Sequence, residues 1–277
     1  MRILITGSRG QIGQCLRKVL PEDWELIATD SKTLNITQFE NVENMVSVFQ
    51  PDVLVNTAGY TDVVAAETDI ERAFAINAQG TLNLARAAKK HGARMLHLST
   101  DYVFDGKKTT PYTESDIPNP LNIYGQSKLI GELMALSFNP NTLIIRTSGV
   151  FGDRGNNFVR SILQKAHNQE KIRVVNDQIC CPTYAFDLAA TMVTIIKDYP
   201  ELHGFQHFTG NEAVSWYDFA HKILTLAKLD TSLIEAVNSD NMQVSRPSYS
   251  VLTSENKLEL YARNMESAII STLEEMA

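Results

Sequence analysis

The sequence predicts a doubly wound α/β fold of the Rossmann type, a parallel sheet followed by a smaller α/β C-terminal lobe. Three observations carry that reading. Short apolar strands alternate with amphipathic helical stretches through the first half of the chain. The first strand runs into a glycine-rich turn that opens a helix. After about residue 148 the alternation loosens into glycine- and asparagine-rich connections. Parallel pairing follows because each crossover is a helix, and right-handed crossovers then wind the sheet both ways.

In chain order, residues 3–6 read as a strand, 11–20 as a helix and 26–29 as a second strand ending at Asp30. Residues 39–49 place Val42, Val46 and Phe49 on one helical face, and Pro51 stops that helix. Residues 53–56 are the next strand and 71–91 one long alanine-rich helix. Residues 95–99 read as a strand, 124–137 as a helix and 143–147 as a strand. Further on, 158–167, 185–197, 217–228 and 266–275 read as helices and 172–175 as a strand, with the rest loop-rich. Residues 1–148 are expected to form a dinucleotide-binding domain and 149–277 a substrate lobe. The boundary is discontinuous, because a segment near 183–200 is apolar enough to return to the main sheet.

The 277 residues carry a net charge of −7 without a basic block, which argues against nucleic acid as a partner. No apolar run is long enough to span a membrane. Met1-Arg2 leads straight into a strand, so no signal peptide is expected. The three cysteines, Cys15, Cys180 and Cys181, have no metal-type spacing and read as buried small hydrophobes of a cytoplasmic protein.

The turn after the first strand is Gly7-Ser8-Arg9-Gly10-Gln11-Ile12-Gly13. Gly7 allows a tight turn, Gly10 a close backbone approach to a pyrophosphate, and Gly13 close packing of helix on strand. Free N–H groups at the helix start suit the phosphates. Asp30, at the end of the second strand, suits the ribose hydroxyls of NAD or is a plain solvated strand end. Arg9 and Lys32 suit the 2′-phosphate of NADP instead, so NADH and NADPH both stay open.

Tyr124 and Lys128 lie one helical turn apart in Tyr-Gly-Gln-Ser-Lys. A phenol ordinarily titrates near about 10, and an adjacent ammonium lowers that value. Thr100 ends the strand at 95–99, where its hydroxyl meets a ligand crevice. Alone, a tyrosine and a lysine at this spacing are common packing and surface residues. Glycine turn, strand-end threonine and Tyr124/Lys128 in one doubly wound half form an ordered set suited to hydride transfer.

That set, with STDYVFDG within 98–106 and PLNIYGQSKLIGE within 118–132, resembles the dTDP-4-dehydrorhamnose reductase family of the extended short-chain dehydrogenase/reductase superfamily. The segments at 51–61, 74–85, 111–116, 146–159, 174–178 with 182–183, 215–220 and 246–252 extend the likeness over most of the chain. The resemblance implies NAD(P)H-dependent reduction of the C4 ketone of a dTDP-linked 6-deoxy sugar. It implies Thr100, Tyr124 and Lys128 as the catalytic set. Gly7, Arg9, Gly10, Gln11, Ile12, Asp30, Ala58, Gly59 and Tyr60, with Tyr124 and Lys128, would line the cofactor. Asp101 and Tyr102 would lie beside the sugar. Asn157 and Arg246 would hold the nucleotide, although Arg246 suits a structural salt bridge equally well.

The chain departs from the family pattern in four places. Asp62 to Glu67 lacks an Asp and a Lys of the usual run, and Gly149 replaces a tryptophan beside the sugar. Cys180 replaces a glycine, and the stretch before Arg246 is less acidic and aromatic. These changes leave the reaction class standing and open the identity of the sugar. They also remove support for the magnesium seen in parts of the family. A sister ketoreductase making another deoxysugar is one alternative. A non-catalytic cofactor-binding subunit, like the regulatory subunit of methionine adenosyltransferase, is another. A monomer or homodimer is expected. His97 reads as a satisfied core residue, Trp216 and Tyr217 as helix-start packing, and Glu114 and Asp116 as solvated loop carboxylates.

Overall fold

Successive strand residues point to opposite faces, and in this sheet both faces meet apolar helices. The computed structural model describes residues 1–256 and 258–276; Lys257 and Ala277, within the expected C-terminal lobe, lie outside the described residues. The first half runs β1 (Arg2–Thr6), α1 (Gln11–Val19), β2 (Glu25–Thr29), α2 (Phe39–Phe49) and β3 (Val53–Asn56). It continues with α3 (Val63–Ala66), α4 (Ile70–Phe74), a π-helical stretch (Ala75–Gly80), α5 (Thr81–His91), β4 (Arg94–Thr100), α6 (Ile123–Phe138) and β5 (Leu143–Thr147). The second half runs β6 (Val150–Phe151), α7 (Phe158–His167), β7 (Ile172–Val175), β8 (Ile179–Cys180), β9 (Thr183–Tyr184) and α8 (Ala185–Asp198). It ends with β10 (Gly204–His207), β11 (Val214–Ser215), α9 (Trp216–Leu226), β12 (Ile234–Val237) and α10 (Met265–Met276).

The main sheet has six strands in the order β10-β5-β4-β3-β1-β2, with every pair parallel. Ile3, Ile5, Val55 and Ile145 pack on one side against Ile12 and Leu16 of α1 and Leu188, Met192 and Ile195 of α8. Leu4, Leu54, Met95 and Ile144 pack on the other side against α2 and α5. Fully burying a leucine or isoleucine contributes roughly 1.5–3 kcal/mol, so these two layers dominate the stability of the sheet. A separate core joins α7, α9 and α10 to β7 and β12 through Val159, Ile162, Phe219, Ile223 and Ile269.

Two regions differ most from expectation. The helix expected over 71–91 is interrupted at Ala75–Gly80, where the backbone widens into a π-helical stretch. An extra residue per turn rotates Asn77 inward, and such stretches recur at functional sites. The region after 200 is also more regular than expected. β10 adds to the main sheet beside β5, and β12 pairs with β7. Both strands have four residues, and β10 buries Gln206 and His207, so neither shows an apolar alternation in sequence. No described helix is long and apolar enough to cross a membrane.

Candidate active site

The strand order reverses between β1 and β3, and in open parallel sheets a ligand crevice lies at the carboxyl ends of such strands. Gly7 has φ +75°, and a Cβ there would fall 2.5 Å from the Ala58 nitrogen. A Cβ at Gly13 would collide with the Gly7 carbonyl oxygen. Both glycines are therefore required by close backbone approach. Helix α1 starts at Gly10 in extended conformation, and no side chain caps it. Its first N–H groups are left for a ligand. A glycine cradle and an uncapped helix start fit the diphosphate of a dinucleotide.

Tyr124 stands at the start of α6, which Asn122 caps through Gly125 N. Its ring meets that of Tyr102 edge-on at 5.9 Å. Burial pushes the Tyr124 phenol up to about 12, the Thr100 hydroxyl beside it pulls the other way, and the Asp101 charge adds to the rise. Lowering of this phenol by Lys128, expected from the sequence, is not what the structure shows. Lys128 Nζ instead donates to the Leu98 carbonyl at 2.6 Å and lies 3.5 Å from His97 Nε2. Burial lowers Lys128 to about 8, against the pull of Glu132. A Cβ at Gly59 would sit 4.0 Å from Nζ, so the amine lies beside the 58–60 segment after β3.

Several residues that shape this site carry no sequence signature of their own. Asn77, from the π-helical stretch, is fully buried. Its Oδ1 accepts from Tyr60 N at 2.8 Å, and its Nδ2 donates to Tyr60 O and to Ser127 Oγ. It ties the segment after β3 to α6. Glu132 accepts from Arg146 Nε and Nη2 at 3.0 and 2.7 Å, both side chains being buried, and the guanidinium lies over Phe205 and Phe104. This strut joins α6 to β5. In the departing 62–67 stretch, Asp62 caps α3, and Glu67 accepts from Ile123 N at the start of α6.

The structure revises several expected roles. Asp101 is 3% exposed and turned inward. It accepts from Ser148 Oγ at 2.7 Å, Ser250 Oγ at 2.6 Å and Thr100 Oγ1 at 3.1 Å, so its carboxylate is engaged inside rather than beside the sugar. Asn157 caps α7 through Arg160 N and donates to Gly152 O and Gln11 Oε1. It links the α1 start to the C-terminal lobe instead of presenting a free amide to a nucleotide. The Ile12 side chain lies in the core, leaving only its backbone for the crevice. Asp30 accepts from Lys32 N, Thr33 N and Thr33 Oγ1 and pairs with Arg9. Glu114 is no solvated carboxylate: it accepts from His207 N, Ser254 Oγ and Glu255 N. Asp116 likewise pairs with Lys108 and accepts from Thr113 N.

The Arg246 guanidinium pulls down the Tyr102 phenol, which burial raises. Arg246 Nε is buried with no hydrogen-bond partner among the described residues. Gly149 has φ +53°, and a Cβ there would lie 3.3 Å from the Trp216 ring, 3.3 Å from Pro182 Cα and 3.6 Å from Cys180 Sγ. Trp216 opens α9 and packs on Phe158 with ring centres 4.7 Å apart. The indole of α9 thus borders the position where the family pattern has its own tryptophan. The three cysteines are free and buried. Among the described residues, no group of three or more His, Cys, Asp or Glu side chains converges as a metal site.

Comparison with known proteins gives a consistent result. The family model described as the RmlD substrate binding domain matches residues 1–277. A dTDP-4-dehydrorhamnose reductase of Aggregatibacter actinomycetemcomitans is 44% identical over 225 residues, covering 79% of this chain and 76% of its own length. A dTDP-4-dehydrorhamnose reductase structure from Clostridium acetobutylicum superposes with a TM-score of 0.94 at 35% identity, covering 99% of each chain. One from Bacillus anthracis, in complex with NADP, gives 0.94 at 34% identity, also covering 99% of each chain.

Proposed function

The chain belongs to the RmlD substrate binding domain family, and from that membership we propose that it reduces the C4 ketone of dTDP-4-dehydro-L-rhamnose to give dTDP-L-rhamnose, with NADPH or NADH. The carrying observation is that the Thr100 hydroxyl, at the carboxyl end of β4, lies beside the Tyr124 phenol, while Lys128 from the same helix α6 lies against Gly59. The names of the relatives support the substrate, and the NADP-bound neighbour supports the cofactor.

A bound reduced nicotinamide supplies the hydride. The rest of the chemistry belongs to this chain. Tyr124, held as a neutral phenol, donates its proton to the C4 oxygen as that oxygen becomes an alkoxide. Thr100 lies beside the phenol and helps hold the same oxygen. The Lys128 ammonium, beside Gly59, binds the ribose hydroxyls. Gly7, Gly10 and the first N–H groups of α1 cradle the diphosphate, with Ala58, Gly59 and Tyr60 as the opposite wall. Arg246, with its unpartnered Nε, reaches the nucleotide diphosphate, and Tyr102 lies against the sugar. Residues 1–148 with α8 and β10 form the cofactor domain, and α7, α9 and α10 with β7 and β12 form the substrate lobe.

The test is turnover of a panel of dTDP-linked 4-keto-6-deoxy sugars with each reduced cofactor, followed by NMR of the product. The rhamno configuration is expected. A different configuration at C4 assigns the chain to a sister ketoreductase, the outcome that Gly149 in place of the family's tryptophan would explain. No turnover of any ketosugar by a protein that binds cofactor overturns the reading.

A further inference from the structure

Asn56, at the end of β3, is fully buried. Its Oδ1 accepts from the Ala58 N–H at 3.1 Å and from the Thr6 hydroxyl at 2.7 Å. A backbone N–H can only donate, so the amide oxygen must lie on that side and the NH2 group on the other. That NH2 group lies 2.9 Å from His97 Nδ1. Nδ1 therefore accepts and carries no proton. A neutral imidazole has one N–H, and here it must be on Nε2. Nε2 in turn lies 3.5 Å from Lys128 Nζ.

We infer that His97 is a positioning residue for the reductase chemistry, locked by Asn56 as the Nε2–H tautomer with its N–H aimed at the amine of Lys128. An ammonium has no lone pair to receive that N–H, whereas an uncharged amine has one. The contact therefore favours the uncharged amine. It acts together with burial, while the Leu98 carbonyl, at 2.6 Å, holds the amine in place. The charged and titratable groups facing the pair are few. From α6, Glu132 pulls the lysine the other way. From β4, His97 is itself kept far below its ordinary value, first by burial and then by Lys128. From the segment after β3, Gly59 faces the amine. Burial lowers Lys128 from its usual 10.5 to about 8, and the His97 N–H adds to that lowering. The lysine's hold on ribose then weakens as pH rises through that value.

The kinetic part of this inference rests on the reductase reading; the tautomer does not. The first measurement is nitrogen-15 NMR of the histidine-labelled wild-type protein from about pH 6 to 9, the range in which an ordinary histidine loses its charge. A pyridine-type Nδ1 and a pyrrole-type Nε2 at His97, unchanged across that range, are expected. A protonated Nδ1, or a His97 that titrates there, overturns the inference without touching the reductase assignment. The second measurement is the pH profile of kcat for His97→Phe. Loss of the aimed N–H should move the basic limb upward by about one pH unit. A folded variant whose limb stays in place also overturns the inference. If His97→Phe does not fold, the wild-type NMR decides alone. A wild-type protein that reduces no ketosugar sinks the reductase reading while leaving the tautomer measurable.

Discussion

Arg9 and Asp30 form an ion pair at 2.5 Å in which the arginine side chain is 72% exposed and the aspartate 11%. The remaining carboxylate oxygen is already engaged by Lys32 N, Thr33 N and Thr33 Oγ1. Backbone and hydroxyl hydrogen bonds, helped by Arg9, hold Asp30 below the ordinary carboxylate value despite its partial desolvation. Asp30 thus has little left to offer a ribose, while Arg9 keeps donors toward solvent.

Arg9→Gln is accordingly expected to lower kcat/KM for NADPH by roughly tenfold to a hundredfold, the value of a charge-assisted hydrogen bond of about 1.5–3 kcal/mol. NADH should be little affected. Steady-state kinetics with both cofactors check this, and an equal fall for the two would show that Arg9 does not read the 2′-phosphate.

Tyr124→Phe removes the proton donor and keeps the ring packed against Tyr102. Turnover should fall by about 10²–10⁴-fold. Cofactor affinity, read by fluorescence titration, should stay within a few-fold. Persisting reduction of the ketosugar would remove Tyr124 from the mechanism.

Burial raises the Asp101 carboxyl, with the Ser250, Ser148 and Thr100 hydroxyls opposing the rise. The folded chain therefore holds this proton more tightly than the unfolded chain. The associated stability is full below the ordinary carboxylate value of 3.8 and is lost as pH rises through the higher folded value. Urea unfolding of wild type and Asp101→Asn at several pH values should show the wild type losing ground as pH climbs through that window. A constant difference would contradict the raised value.

Gly149→Ala places a Cβ at φ +53° and within 3.3 Å of Trp216 and Pro182. The left-handed backbone alone costs roughly 1–2 kcal/mol for a residue with a Cβ. The variant should unfold at lower denaturant with an unchanged m-value. Gly149→Trp should lose more, since Trp216 already borders that space. A stabilised Gly149→Ala would mean that the turn relaxes to another conformation.

Glu132→Ala leaves the Arg146 guanidinium buried without its anion, an event that costs about 3–5 kcal/mol. It also removes the charge that supports a protonated Lys128. Lower stability and a basic limb of kcat displaced to lower pH are both expected. Calorimetry and the pH profile read the two effects separately, and an unshifted limb would disconnect Glu132 from Lys128.

The bounds of α2, β3, β5, α7 and β7 coincide with those expected from sequence, because strand alternation, helical periodicity and breakers such as Pro51 act within a few residues. The glycine turn is legible for the same reason, whereas Thr100, Tyr124 and Lys128 stand out through the family resemblance of the segments that hold them. Partners brought from far along the chain were not legible. Ser250 reaches Asp101 across 149 residues and turns an expected sugar contact inward. Asn157 is engaged by Gln11 from 146 residues away. Asn56, 41 residues before His97, sets the tautomer that faces Lys128. The sequence by itself determined five of the six strands of the main sheet and the glycine turn after the first. Only the tertiary structure decided which polar atoms remain free to act, because a buried donor or acceptor is committed by whichever distant group folding places against it.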